Sequence, residues 1–314
     1  MTPAALAVDA GQTETRAALT DGRGLVSARA GGVLRLGAGA GADDVAATLL
    51  EALAGLGTLP EPVPPAGVGL SGFEAATESD LRRVSALLRR ELGIERLAIA
   101  SDGLTSLLGA LGDRPGAVVA AGTGAVCVAR KGDRMAKVDG WGSLLSDAGS
   151  GFAIGRAGLD AALRHADGRP GSAALLAAAE RRFGPATGLP QRVHGAPVPT
   201  REVASFAADV ARVSAAGDDV AAAILREAGR ELGVSACAAL GRLFAPGDDA
   251  AVSYTGRVFQ AGPLLLEPFM KQVRIRRPRT EIVPPAGDSL SGAALLAERA
   301  DALHEEPGIL WKAA

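Results

Sequence analysis

The sequence predicts an α/β protein built as two domains. Three observations carry that expectation: short apolar strands alternate with amphipathic helical stretches, an opening strand–turn–strand pattern over residues 6–19 returns at 117–129, and 314 residues suffice for two domains of roughly 150 each. With 48% hydrophobic and 22% charged residues the chain can build real cores. A net charge of -2 leaves no electrostatic footprint for nucleic acid or an anionic membrane. No apolar run approaches the roughly 20 residues that span a bilayer, and no basic stretch with a long apolar run behind it opens the chain, so a cytoplasmic location is expected.

In residues 6–19 an apolar run ends on Asp9, Gly11 permits a tight reversal, Thr13 and Arg16 follow, and a second apolar run leaves. That is the pattern of a β-hairpin with a polar tip. Such a tip can hold a phosphate. Gly11 lets the backbone approach an anion, N–H groups and the Thr13 hydroxyl can donate to its oxygens, and Asp9 can hold the waters of a Mg²⁺ ion. An ordinary hairpin with a solvated turn fits the same residues.

A turn at 21–24 and a strand at 25–29 extend this meander, and the glycine-rich residues 31–41 carry no period. Residues 43–54 show helical spacing, with Val45, Leu49, Leu50 and Leu53 on one side. Prolines in 60–65 force a loop, after which 66–71 reads as a strand. A helix over 79–92 ends at Gly93, where a C-cap belongs. Residues 97–102 form a short buried strand that delivers Asp102 to its C-terminal end, directly before a helix over 104–111. Open α/β sheets place their ligands at such strand ends. Asp102 can act there as the N-cap of the helix.

The break Asp113-Arg114-Pro115-Gly116 marks the expected boundary between an N-terminal domain, 1–114, and a C-terminal domain, 115–288. A last helix at about 289–304 is expected to cross back onto the first domain. Residues 117–129 repeat the opening pattern around a Gly122-Thr123-Gly124 tip, and Lys131-Gly132-Asp133 echoes the turn at Asp21-Gly22. Residues 138–151 are too rich in glycine and polar groups for a plain connector, and they feed a helix over 152–165. Two further helices follow at 170–183 and 200–213, and the four prolines between them make 184–199 an extended loop. The longest helix covers 218–244. A strand at 250–254 then meets Gly256, and a helix over 264–273, a strand over 281–283 and a helix over 290–302 close the chain. Cys127 and Cys237 sit in apolar settings without metal-ligand spacing and read as small core residues.

The spelling Asp-x-Gly-x-Thr-x-Thr-Arg at residues 9–16 resembles the first phosphate motif of the sugar kinase, heat-shock protein and actin superfamily. Gly140-Trp141-Gly142, followed by Ser146-Asp147-Ala148-Gly149-Ser150-Gly151 and Ile154-Gly155, narrows this. Together with Ser101-Asp102-Gly103, Gly122-Thr123-Gly124, Thr255-Gly256-Arg257-Val258-Phe259 and Ser291-Gly292-Ala293-Ala294-Leu295-Leu296, it resembles the N-acetylglucosamine kinase group of the BadF/BadG/BcrA/BcrD ATPase family. The resemblance implies a two-domain actin-like ATPase fold of ribonuclease H-like type, each domain a mixed sheet with flanking helices, with a cleft between them. It also implies ATP and Mg²⁺, and phosphorylation of the 6-hydroxyl of N-acetylglucosamine or a related hexosamine such as glucosamine. A homodimer is implied as well.

Residue by residue, the resemblance makes Asp102 the catalytic base and gives the sugar to Ser71, Gly140, Trp141, Gly142 and Asp147, although Trp141 is equally suited to anchor a core. It gives the nucleotide to Gly11, Thr13, Arg16, Gly122, Thr123, Gly124 and Gly256, and the metal to Asp9. Three departures alter sugar recognition: Ser146 stands at the usual Gly, Ala148 at the usual Glu, and the chain contains no Asn. Two other classes share the scaffold. One is a non-catalytic sensor of sugar or nucleotide; the other is an iron–sulfur activator ATPase, which needs paired exposed cysteines that Cys127, in a strand, and Cys237, in a helix, do not supply.

Overall fold

The computed structural model describes residues 4–11, 14–21, 24–32, 41–303, 305 and 309–313. Contacts divide the chain into two compact units. The first comprises residues 1–118, 128–136 and 283–314, the second residues 119–127 and 137–282.

The chain opens with a meander: β1 (Ala5–Ala10), β2 (Glu14–Asp21) and β3 (Gly24–Gly31). Helix α1 (Ala42–Ala54), strand β4 (Ala66–Leu70), helix α2 (Glu78–Leu92), strand β5 (Leu97–Ser101) and helix α3 (Asp102–Leu111) follow. All five residues of β4 and of β5 are buried, which is why these segments read as continuous apolar runs; a strand covered on both faces has no polar side. Helix α2 is fixed at both ends. The Thr77 hydroxyl accepts the Asp80 N–H at 3.2 Å, the Asp80 carboxylate accepts the Thr77 N–H at 2.9 Å, and Gly93 ends the helix at φ 70°.

The second half contains β6 (Gly116–Ala121), β7 (Ala125–Lys131) and β8 (Arg134–Asp139), then α4 (Gly151–Ala166), α5 (Ala173–Phe183), α6 (Leu189–His194), α7 (Pro199–Ser205), α8 (Ala207–Ala215) and α9 (Asp219–Leu243). Strand β9 (Ala250–Thr255), helix α10 (Pro263–Arg276), strand β10 (Thr280–Ile282), helix α11 (Ser289–Arg299) and strand β11 (Leu310–Lys312) complete it. Among the described residues the strands form two sheets, ordered β11-β5-β4-β1-β2-β3 and β10-β9-β6-β7-β8. In the first sheet β1, β4 and β5 run parallel, while β2, β3 and β11 are antiparallel to their neighbours.

One face of the first sheet packs Leu6, Val8, Val68 and Ile99 against Leu49, Leu53 and Leu88 of α1 and α2. Each such fully buried leucine contributes about 1.5–3 kcal/mol. Helix α11 lies on the opposite face, where Ala293 packs with Ala7 and Ala18. In the second unit α9 packs along α10, and Tyr254, Phe259 and Phe269 form a ring cluster with centroids 4.9–5.8 Å apart.

Three sequence expectations are corrected. Residues 184–199 are not an extended loop: a 3₁₀ turn at Ala186–Gly188 leads into α6, where Pro190 occupies the first turn. Proline is tolerated at that position because the N–H it lacks would have no helical partner. The helix expected over 200–213 is two helices, bent at the fully buried Phe206, whose ring lies 5.9 Å from Phe183. Strand β11 has no counterpart among the expected elements. The turn centred on Gly22 and Arg23 and most of the glycine-rich stretch lie outside the described residues.

Candidate active site

The first cluster is made by strand register. Ala10 of β1 pairs with Leu70 of β4, and Leu70 pairs with Ser101 of β5, so three parallel strands end level with one another. Asp9, Ser71 and Asp102 therefore meet at one sheet edge. Gly69 makes room for the first turn of α3, since a Cβ there would fall 2.4 Å from the Thr105 hydroxyl.

Ser101, and not Asp102, caps α3: its hydroxyl accepts the Leu104 N–H at 3.3 Å. Asp102 occupies the first helical position and is left for other work. Its carboxyl is pushed up to about 7, first by burial and then by the negative charges of Glu74 and Asp9. Hydrogen bonds donated by the Ser71 hydroxyl and the Gly103 N–H oppose the rise. The N-terminal dipole of α3 also favours the ionised form, but burial outweighs it.

Asp9 is tied to Arg16. The guanidinium gives Nε and Nη2 to Asp9 Oδ2, at 3.2 and 2.6 Å, and Nη1 to Asp288 Oδ2 at 2.7 Å. Asp288 is the N-cap of α11 and accepts the Ser291 N–H at 3.1 Å. Gly11 closes the hairpin turn through its N–H to the Glu14 carbonyl at 3.1 Å, while Thr13 lies outside the described residues. Sequence reasoning misses Glu74 and Asp288, because a single acid in a polar stretch carries no signal.

The second cluster belongs to the second unit. In the β6–β7 turn the Gly122 N–H bonds the Gly124 carbonyl at 2.8 Å. The carbonyls of Gly122 and Thr123 accept the first amides of α4, from Gly151 at 2.8 Å and Phe152 at 3.0 Å. This turn is therefore locked to a helix N-terminus. Gly256 leaves β9 at φ 98°, and a Cβ there would sit 2.2 Å from the Ala121 carbonyl, so glycine is required by the fold itself.

Asp147 is buried, in left-handed backbone at φ 63°. Its carboxylate accepts the N–H of Gly140 at 3.1 Å and also those of Gly142 and Ala125. Burial raises its pKa, and these amides partly offset the rise. Gly140 and Gly142 both adopt positive φ, 72° and 90°. Between them Trp141 is 71% exposed, with the Lys137 ammonium 5.7 Å from its ring centre, so it anchors no core. Beside this loop α4 and α9 line an open groove of about 730 Å³ that includes Leu144, Leu145, Phe152 and Ile224.

A sheet with acidic residues at its parallel strand ends, a second sheet with glycine-tipped turns and the flanking helices make an actin-like ATPase fold. The chain belongs to the BadF/BadG/BcrA/BcrD ATPase family, whose family pattern matches residues 6–297. It is 29% identical to the N-acetylmuramic acid/N-acetylglucosamine kinase of Clostridium acetobutylicum over 248 residues, 77% of this chain and 81% of that one. A solved candidate N-acetylglucosamine kinase from Chromobacterium violaceum superposes with a TM-score of 0.72 at 29% identity, covering 94% of this chain and 99% of that one. A glucokinase of the ROK family from Streptomyces griseus, solved with glucose and AMPPNP, shares the fold at a TM-score of 0.62 and 17% identity, with 94% and 99% coverage.

Proposed function

We propose that the protein is an ATP-dependent kinase that phosphorylates the 6-hydroxyl of N-acetylglucosamine or a related hexosamine such as glucosamine. The observation that carries this reading is Asp102, a carboxyl with a pKa of about 7 at aligned strand ends beside Asp9. A base tuned close to neutral pH can accept the hydroxyl proton as the oxygen attacks, and phosphoryl transfer otherwise asks the protein for placement and charge. Ser71 steadies Asp102 through its hydrogen bond. Arg16, already engaged by two carboxylates, orients Asp9 and borders the phosphates together with Gly11 and Thr13. Gly122, Thr123, Gly124 and Gly256 hold the nucleotide, while Gly140, Trp141, Gly142 and Asp147 face the sugar.

Among the described residues no group of three or more side chains forms a metal cage. A single carboxylate acting through water fits Mg²⁺, which keeps several waters and is bound largely by substrate phosphates. Asp9 would hold it, and the ion would neutralise phosphate charge. The relatives named as kinases of N-acetylglucosamine and N-acetylmuramic acid support the sugar class. A cytoplasmic homodimer completes the reading; no helix among the described residues is long and apolar enough to cross a membrane.

A non-catalytic sensor is favoured by Ala148 and by the absence of Asn. The iron–sulfur reading is weakened because Cys127 and Cys237 are both buried, with their thiol pKa values raised. Sugar-dependent ADP release, measured with N-acetylglucosamine, N-acetylmuramic acid, glucosamine and glucose, and NMR of the product to locate the phosphate, test the proposal. Release stimulated by an amino sugar and lost in Asp102→Asn is expected. No stimulation by any sugar would favour the sensor.

A further inference from the structure

The loop that presents Trp141 is closed at its base by two aspartates. Among the described residues Asp139 and Asp147 are the two non-glycine positions in left-handed backbone, at φ 62° and 63°, and they flank residues 140–146. Left-handed geometry disfavours a side chain with a Cβ, so two such residues at the ends of one seven-residue loop need a compensating interaction.

That compensation is reciprocal. Asp139, at the start, accepts the hydroxyl of Ser146 at the end, at 2.7 Å; Asp147, at the end, accepts the N–H of Gly140 at the start, at 3.1 Å. The second oxygen of Asp139 accepts the hydroxyl of Ser235, a buried residue of α9, 96 positions away. Each carboxylate thus accepts donors from across the loop or from α9, and the loop is fastened to itself and to the longest helix.

We infer that Asp139, Ser146 and Ser235 are positioning residues that hold Trp141 and the Gly140–Gly142 backbone in the geometry that receives the sugar. This rests on the sugar-kinase reading, but the clamp itself has a structural readout independent of activity. A loop bearing an exposed indole gains little rigidity from packing, so its order has to come from polar ties at its base. Loosening them costs ground-state sugar binding while leaving the chemistry at Asp102 in place.

The test uses the full chain with Trp311→Phe, which leaves Trp141 as the single tryptophan fluorophore, since the sequence contains two tryptophans. Asp139→Gly removes the carboxylate and also relieves the left-handed strain, so it is the variant most certain to fold; Ser235→Ala removes one tie from the far side. Both are expected to raise acrylamide quenching of Trp141 and to speed amide exchange over 140–146, with the melting temperature of the rest of the fold retained. With an amino-sugar substrate, the KM for the sugar rises about tenfold, while the KM for ATP and kcat change less than threefold. Ser235→Thr, which keeps the hydroxyl, restores the parent values. Combining Ser235→Ala with Asp139→Gly costs no more than Asp139→Gly alone, because both act through one clamp. Unchanged quenching and exchange in a folded Asp139→Gly protein would overturn the inference, as would a rise confined to the KM for ATP. If no sugar is phosphorylated but quenching and exchange change as stated, the clamp stands and the kinase reading falls.

Discussion

As the proposed base, Asp102 would trade stability for chemistry. Its ordinary carboxyl value near 3.8 rises to about 7, so the folded protein binds that proton more tightly than the unfolded chain does. Stability from this group is fully present below pH 3.8 and is lost as pH rises through 7. In the proposed role activity runs the other way, because a base must be ionised. We therefore expect kcat/KM to climb about tenfold per pH unit up to about 7 and then level off. Asp102→Asn should lose turnover by about 10²–10⁴ and should melt higher than the parent at pH 8, by an amount worth a few kcal/mol, a gain that vanishes toward pH 4. A variant that is inactive but no more stable at pH 8 would mean that the ionised carboxylate is better solvated than its setting implies. This aspartate is legible in the sequence because a strand end, a helix start and a motif coincide there. Asp139 and Ser235 are not, since 96 residues separate two common residue types and only the fold brings them together.

At the scale of elements, hydrophobic period and capping chemistry locate α1 to α4 and α9 to within two residues, and they fail where proline or a buried ring governs the chain. Pro190 reads as a loop former yet sits in the first turn of α6, and nothing in the local sequence marks the bend at Phe206. The crossing of α3 and α11 is equally hidden, because it is written in glycines that look ordinary in sequence. A Cβ on Gly292 would lie 1.7 Å from the Thr105 carbonyl, and one on Gly109 would lie 1.9 Å from the Asp288 carbonyl. Both are backbone atoms and cannot rotate away. Gly292→Ala should therefore force the helices apart and cost about 3 kcal/mol or more, read as a fall in the denaturant midpoint. Gly247, where an added Cβ would meet no atom within 4 Å, supplies the control. Its alanine variant should change stability by less than about 0.5 kcal/mol.

For the whole molecule, the arrangement that matters is the return of the C-terminal segment to the first unit, which contains residues 283–314. Helix α11 covers β1 and β4, with the Ala293 carbonyl 2.1 Å from where a Cβ on Gly67 would be, and β11 adds the edge strand beside β5. Arg16 ties the opening hairpin to Asp288 across 272 residues. The strand ends that hold Asp9, Ser71 and Asp102 thus depend on the last part of the chain for the cover of their sheet. The apolar run at 290–302 announces a helix, but the edge strand and the ion pair have no local pattern. A chain ending at Pro285 should expose Ala7, Ala18 and the faces of β1 and β4 that α11 covers. It should then bind a hydrophobic dye and lose amide protection in β1, β4 and β5, while α9 and α10, which pack on each other, stay protected. Supplying residues 286–314 as a separate peptide should restore that protection. A shortened chain that kept native exchange rates in β1 and β4 would show that the first sheet is stable without its C-terminal cover.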